Sequence, residues 1–148
     1  VEGEIGHVGN ADGADPSVDR YTTVSEARKF LEDTGVDVLA IAIGTAHGQY
    51  KTAPQLSFDR LREIRSAIGV PLVLHGGSGL SDSDFRQAIE HGIAKVNIFT
   101  DLCLAGMKAN AQSVQDGSDY LAARNAKKDA IAAAVERKIL LFGSSGKA

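Results

Sequence analysis

Two short stretches decide the fold: "VDVLAIAIGTAHGQYK", residues 36–51, and "VPLVLHGGSG", residues 70–79. Each begins with an apolar run long enough for a buried strand and then reaches a histidine followed by a glycine, at His47 and at His75. Continuous apolar runs, in contrast to alternating ones, are typical of parallel strands that are covered on both faces. The two stretches therefore predict neighbouring parallel strands that each end in His-Gly.

Helical patterns alternate with these strands along the chain. Each predicted helix begins at a hydroxyl-bearing cap and ends at a glycine, over residues 22–35 with Thr22 as the cap, 57–69 and 81–92. Further strands are predicted at residues 1–6 and 93–99. Strands that alternate with helices indicate an α/β fold with a parallel sheet.

The length of the chain limits the architecture. A (β/α)₈ barrel needs eight strands and about 250 residues, so 148 residues hold half of one or a small doubly wound sheet. From about residue 102 onward the pattern predicts only two long helices, over 102–113 and 119–141. Because the chain opens at Val1 directly into a strand pattern, we expect residues 1–148 to be one part of a single larger domain.

The composition and charge of the chain exclude some classes of partner. The formal charges sum to −3 and 43% of the residues are hydrophobic, which is typical of a globular domain and offers no basic excess for nucleic acid. No apolar run approaches the length of a membrane span, so no membrane partner is expected. A single cysteine, Cys103, cannot form an internal disulfide, which favours a cytoplasmic location.

The histidines that end the two strands are the best candidates for metal ligands. The loops after parallel strands open on one face, so His47 and His75 would converge there, and Glu4 at the end of the first strand could add a carboxylate. The alternative is a pair of histidines that only form hydrogen bonds in the barrel mouth. His7 is a further candidate ligand, although a loop histidine without a role is the simpler interpretation.

Glycines and amides at the same end favour a bound phosphate. A residue without Cβ lets an anion approach backbone N–H groups, and "HGGSG" is followed by a helix that Ser81 caps. "VNIFTD" would add the amides around residues 98–100 and the Thr100 hydroxyl. The alternative is that Gly76 and Gly77 only make a tight turn.

Five motifs in order resemble a known family: "VEGEIG", "AIGTAHGQYK", "PLVLHGGSGL", "KVNIFTDL" and "LFGSSGKA". The chain resembles the C-terminal half of the class II, zinc-dependent ketose-bisphosphate aldolases, which include the fructose- and tagatose-bisphosphate aldolases. The resemblance implies a (β/α)₈ TIM barrel, of which this chain supplies strands five to eight. It also implies Zn²⁺ with an optional monovalent cation, a sugar phosphate substrate, and a homo-oligomer, either dimer or tetramer.

The resemblance further implies the reaction and its residues. His47 and His75 match two of the three zinc histidines, and Glu4 matches a glutamate that can approach the metal. The reaction is reversible aldol cleavage of a ketose phosphate to dihydroxyacetone phosphate and an aldehyde, with the metal stabilising the enediolate. The residues that match the dihydroxyacetone phosphate site are Gly48, Gly76, Gly77, Ser78, Asn97, Ile98, Phe99 and Thr100.

One motif of the family is not in this sequence. The family's third zinc histidine directly follows the aspartate that serves as the catalytic acid, and these 148 residues contain no Asp-His pair. We therefore expect the ligand and the acid to lie upstream, and the 148 residues alone to be inactive. Two alternatives stay open: a non-catalytic or degenerate subunit that binds phosphate or metal, and a metal-free phosphate-binding barrel such as an isomerase or synthase.

Two further departures concern the substrate. Phe99 stands where fructose-bisphosphate aldolases have aspartate and tagatose-bisphosphate aldolases have alanine. Cys103 stands where the family carries a basic residue that meets the distal phosphate. Because a neutral thiol cannot balance a phosphate dianion, the sequence predicts an acceptor aldehyde that lacks a distal phosphate or binds it differently.

Overall fold

The computed structural model describes residues 1–6, 9–10, 21–48, 50 and 53–147. It confirms an α/β fold in which strands and helices alternate through the first hundred residues. The chain divides into two compact units, Val1–Ile98 and Phe99–Ala148, and each is described by itself.

The first unit contains six strands and three helices among the described residues. Numbered in chain order, they are β1 (Glu2–Ile5), β2 (Gly9–Asn10), α1 (Val24–Thr34), β3 (Val38–Ile41), β4 (Ala46–His47), α2 (Phe58–Ala67), β5 (Leu72–Leu74), α3 (Asp82–Glu90) and β6 (Ile93–Val96). Strands β1, β3, β5 and β6 form one parallel sheet in that order. A helix therefore connects each strand of the sheet to the next, as in consecutive units of a β/α barrel.

The two central strands form the core of the sheet. Both β3 and β5 are buried along almost their whole length, as their continuous apolar sequences predict. On the outer strand β1, by contrast, Gly3 lies against helix α1, because a Cβ built there would come within 2.6 Å of the Phe30 ring. Side chains alternate along a strand, so Glu2 and Glu4 project from the opposite face of the sheet.

That opposite face is concave. Glu2 of β1 and Lys95 of β6 lie on the two outermost strands, yet Lys95 Nζ is 2.6 Å from Glu2 Oε2. Neighbouring strands lie about 4.8 Å apart, so two intervening strands would separate β1 and β6 by roughly 14 Å in a flat sheet. The ion pair bridges the hollow of a curved sheet, as expected for part of a barrel.

Most of the helix ends lie where the sequence predicts a cap. Gly35 ends α1 in the left-handed conformation, and Ser57 and Ser81 cap α2 and α3, as predicted. The prediction that Thr22 caps α1 is wrong, because Thr23 accepts the hydrogen bond from the Glu26 amide and forms a capping box with it. Thr22 is instead buried, donating to the Ile5 carbonyl at the end of β1 and accepting from the Ala42 amide just after β3.

These two threonines should contribute differently to stability. Thr22→Val removes a hydroxyl that satisfies two backbone groups, and we expect a loss of about 2 kcal/mol in the free energy of unfolding. Thr23→Ala removes only a cap, which is expected to cost about 1 kcal/mol. Urea denaturation of the whole protein that carries this chain measures both values. No loss for Thr23→Ala would contradict the assignment of the cap, and a loss for Thr22→Val no larger than that for Thr23→Ala would contradict the tertiary role of Thr22.

The second unit consists of two helices, α4 (Thr100–Gln115) and α5 (Tyr120–Leu141), each within about two residues of its predicted bounds. They pack closely where Gly106 of α4 meets Ile131 of α5, since a Cβ on Gly106 would lie 3.0 Å from Ile131 Cδ1. An ion pair of 3.3 Å between Lys138 and Asp101 also joins the helices. Among the described residues, no helix is both long and apolar enough to cross a membrane.

Candidate metal centre

Three side chains converge at the carboxyl ends of the strands. Glu4 lies near the end of β1, His47 ends the short strand β4, and His75 directly follows β5. Each offers one ligand atom, and these atoms lie within 4.8 Å of one another. The structure thus brings together the three residues that the sequence predicts to bind a metal.

His75 is the centre of this cluster. Its Nδ1 lies 3.0 Å from Glu4 Oε1, and its ring centroid lies 6.4 Å from that of His47. Its side chain is only 13% exposed, whereas that of Glu4 is 48% exposed. A ligand or metal that reaches the cluster would therefore meet one well-packed imidazole and an accessible carboxylate.

The donor set fits a zinc ion. Two imidazole nitrogens and one carboxylate oxygen form a ligand set of catalytic zinc sites, in which a further position stays open for water or substrate. Zinc bonds of about 2.1 Å place the ligands of a tetrahedral site roughly 3.4 Å apart. The longest separation here exceeds that value, and small side-chain rotations of Glu4 or His47 would close it.

A second carboxylate, which the sequence analysis did not select, also contacts His75. Glu2 Oε1 lies 3.0 Å from His75 Nε2, while Glu2 Oε2 accepts the hydrogen bond from Lys95. The hydrogen bond from Lys95, followed by that from His75, holds the pKa of the Glu2 carboxyl below its usual value. The signal was present in "EGE", because residues two apart on a strand share a face.

Tyr50 joins the two histidine-bearing segments. Its hydroxyl accepts a 2.7 Å hydrogen bond from the Ala46 amide and donates a 2.9 Å bond to the Gly76 carbonyl. Burial raises the pKa of the Tyr50 hydroxyl, and the bond from Ala46 partly offsets this, so the phenol stays protonated and able to donate. No local sequence signal marks Tyr50, because one of its partners, the Gly76 carbonyl, is a backbone group distant in sequence.

Removal of this hydroxyl should weaken the fold. Tyr50→Phe leaves the Ala46 amide and the Gly76 carbonyl without their partner, which we expect to cost about 1–3 kcal/mol of unfolding free energy. Urea denaturation of the whole protein measures the loss. Tyr120→Phe is the matched control, because Tyr120 is 77% exposed and its variant should change stability by less than about 0.5 kcal/mol. Equal effects of the two variants would refute the role of Tyr50.

The three glycines that follow the two histidines differ in their backbone conformation and in how closely other groups approach them. Gly76 has a positive φ of 65°, and a Cβ there would lie 2.6 Å from the Ala46 carbonyl oxygen, so close packing requires glycine. The Gly77 amide donates to the Asn97 carbonyl at 3.3 Å and is occupied within the protein. Gly48 also has a positive φ, of 99°, but nothing described lies within 4 Å of its Cβ position. Among the described residues, Gly48 is therefore the glycine of this site whose Cβ position has no close neighbour.

The other predicted phosphate residues lie at the ends of β5 and β6. Ser78 is buried in the turn before α3, and Asn97, whose amide donates to the Leu74 carbonyl, is exposed. Ile98 closes the first unit, whereas Phe99 and Thr100 begin the second, at the N-terminus of α4. Their role in binding a phosphate stays a prediction.

Comparison with known proteins places this arrangement in a family. A family model described as class II fructose-bisphosphate aldolase matches residues 1–147. The chain belongs to the class II fructose-bisphosphate aldolase family. This confirms the resemblance drawn from the five motifs, and the fold is half of a class II aldolase (β/α)₈ barrel.

Three relatives illustrate the similarity to class II aldolases. YdjI of Escherichia coli K12 is 47% identical over the whole chain. The crystal structure of this YdjI aldolase superposes with a TM-score of 0.84 at 44% identity, and the match covers 99% of this chain and 50% of the YdjI chain. A sulfofructosephosphate aldolase of Alkalicoccus urumqiensis is 44% identical over 99% of the chain. The structure of a candidate fructose-1,6-bisphosphate aldolase from Coccidioides immitis gives a TM-score of 0.85 at 33% identity, over 99% of the chain and 53% of its own.

The chain spans about half the length of the curated relatives that it matches, 53% in both cases. The candidate metal centre of this family member is accordingly built from the strands of half a barrel. His7, the further candidate ligand, lies outside the described residues.

Proposed function

We propose that the protein is a zinc-dependent class II aldolase that reversibly cleaves a ketose phosphate to dihydroxyacetone phosphate and an aldehyde. The observation that carries the proposal is the convergence of Glu4, His47 and His75 within 4.8 Å, in a chain of the class II aldolase family.

The proposed roles of the chain follow from the placement of these residues. His47 and His75 would hold Zn²⁺, with Glu4 as an additional or alternative ligand, and the bound ion would polarise the substrate carbonyl as a Lewis acid. Both histidines adjoin the backbone groups that Tyr50 bonds, so their backbone positions are set before substrate binds. Such pre-organisation stabilises developing charge without the cost of reorganising the site.

We propose that the phosphate of dihydroxyacetone phosphate binds beside the metal. Gly48 supports this proposal, because it has a positive φ and no described atom lies within 4 Å of its Cβ position, which lets an anion approach the backbone. The Gly77 amide donates to the Asn97 carbonyl at 3.3 Å, so we propose that Gly77 contributes to this site by shaping the turn.

The proposal needs two groups that these residues do not contain. The family resemblance assigns the third zinc histidine and the acid that protonates the aldehyde oxygen to an Asp-His pair on an early strand of the barrel. We propose that the other half of the barrel supplies both. If the whole protein lacks that pair, the alternative of a non-catalytic subunit that binds metal or phosphate takes precedence.

We further propose that the acceptor aldehyde carries no distal phosphate. Phe99 and Cys103 offer no positive charge, and Asp101 between them is paired with Lys138. The name of the sulfofructosephosphate aldolase, 44% identical to this chain, describes a ketose with one phosphate and a sulfo group. This supports a substrate other than a bisphosphate.

The resemblance and the composition extend the proposal to the whole protein. We propose a cytoplasmic homo-oligomer, dimer or tetramer, in which residues 1–148 form one part of a single barrel domain. Light scattering coupled to size-exclusion chromatography measures the subunit number.

Chelation tests the proposed reaction. In the whole protein, cleavage of ketose phosphates is followed through the dihydroxyacetone phosphate formed, before and after dialysis against a chelator. We expect activity to fall to background and to return with equimolar Zn²⁺. Turnover that survives complete removal of metal would refute the zinc mechanism, and absence of turnover on every ketose phosphate would favour the non-catalytic alternative.

A further inference from the structure

We propose that Glu2 is a positioning residue that accepts the Nε2 proton of His75 and thereby directs the Nδ1 lone pair toward Glu4 and the metal. This inference rests on the proposed metal centre and adds to it a residue outside the three ligands. It divides the two glutamates of β1 into one that faces the metal and one that holds the histidine.

Each nitrogen of His75 lies beside a carboxylate, and the two carboxylates differ in their surroundings. Nδ1 lies 3.0 Å from Oε1 of Glu4, which belongs to the candidate ligand cluster. Nε2 lies 3.0 Å from Oε1 of Glu2, which does not belong to it. A neutral imidazole carries one proton, so a proton held on Nε2 leaves Nδ1 as the only nitrogen that can bind a cation.

Lys95 explains why Glu2, and not Glu4, is the carboxylate that holds His75 from outside the ligand cluster. Its ammonium lies 2.6 Å from Glu2 Oε2, so both carboxylate oxygens of Glu2 have a partner within hydrogen-bond distance. The Glu2 side chain is 28% exposed, less than the 48% of Glu4. Glu2 is thus held between two cationic or donor groups, while Glu4 is the more accessible carboxylate.

The strands of the sheet position the two glutamates, Lys95 and His75 relative to one another. Glu2 and Glu4 share the concave face of β1, two residues apart, and Lys95 reaches the same hollow from the far edge of the sheet. His75 lies between them at the end of β5. Outer partners of this kind fix the ring orientation and tautomer of a metal-binding histidine, and their loss costs about 10–100-fold in metal affinity or activity.

The experiment compares Glu2→Ala with the conservative Glu2→Gln in the whole protein. Zinc affinity is measured by competition with a chromophoric chelator, and the His75 imidazole protons are observed by ¹⁵N-correlated NMR with and without Zn²⁺. We expect Glu2→Ala to weaken zinc binding about 10–100-fold and to abolish the protected Nε2 proton. Glu2→Gln, whose amide oxygen can still accept that proton, should restore part of both. Glu90→Gln, at the exposed end of α3, is the matched control and should change neither.

The outcomes separate this inference from the proposed function. If the wild-type protein binds zinc and Glu2→Ala binds it equally well, the positioning role is wrong. If the wild-type protein binds no zinc, the metal hypothesis fails, while the presence or loss of the Nε2 proton still decides whether Glu2 holds His75. A loss of affinity in Glu2→Ala that Glu2→Gln does not relieve, with the Nε2 proton unchanged, would also contradict the inference.

Discussion

Replacement of either candidate metal histidine should nearly abolish aldol cleavage. We expect His75→Ala and His47→Ala to lower kcat/KM by more than about 100-fold, because loss of a direct ligand should exceed the 10–100-fold effect of losing its outer partner. His75→Ala should be the more severe, since it also leaves the Glu2 and Glu4 carboxylates without their shared imidazole. Steady-state kinetics of the whole protein with saturating Zn²⁺ measures both values.

His91→Ala provides the matched control for the loss of a histidine. His91 follows α3, where its ring contacts Phe58 and it lies outside the ligand cluster. We expect the kcat/KM of His91→Ala to stay within about twofold of the wild-type value, since substitutions away from buried networks and binding sites have small effects. Activity of His75→Ala or His47→Ala comparable to that of His91→Ala would contradict the assignment of the metal centre.

The second large effect concerns the choice of substrate. We expect the wild-type protein to cleave ketose phosphates that release an unphosphorylated or sulfonated aldehyde at least about 10-fold more efficiently than fructose 1,6-bisphosphate. A charge-assisted hydrogen bond to the distal phosphate would contribute about 1.5–3 kcal/mol, equivalent to about 10–100-fold, and Cys103 cannot supply it. Values of kcat/KM across a panel of ketose phosphates measure the preference.

A charge at position 103 should reduce that preference. Cys103→Arg introduces a bidentate phosphate donor at the family's basic position, and we expect kcat/KM for fructose 1,6-bisphosphate to rise about 10-fold. Met107→Arg adds the same charge one turn later on α4, where the side chain is 66% exposed, and should not raise it. A wild-type protein that prefers the bisphosphate, or equal gains in both variants, would overturn the proposed acceptor.

Much of the architecture follows from local patterns in the sequence. The buried runs of β3 and β5 predicted parallel strands, and Gly35, Ser57 and Ser81 marked helix ends correctly. Thr22 did not follow the local rule, because two threonines stand together and tertiary hydrogen bonds to Ile5 and Ala42 engage the first of them. The choice between two adjacent caps depends on the sheet and is not visible in the helix sequence.

The candidate site was predictable only in its main ligands. Glu4 and His75 stand at the ends of β1 and β5, so the topology of the four-stranded parallel sheet brings them together, whereas His47 lies in the short strand β4, which pairs with β2 in a separate sheet. The contributions of Glu2 and Tyr50 depend on contacts between segments far apart in the chain. The Gly77 amide is likewise engaged by the carbonyl of Asn97, twenty positions later in the sequence. Such contacts arise from the curvature of the sheet, which no single segment encodes.

Anomalous diffraction at the zinc edge, from crystals of the zinc-loaded whole protein, tests the central claim most directly. The account predicts a single strong peak between His47 and His75, with imidazole nitrogens about 2.0–2.1 Å from the ion and His75 bound through Nδ1. A zinc peak elsewhere, with both imidazoles turned away from it, would contradict the account.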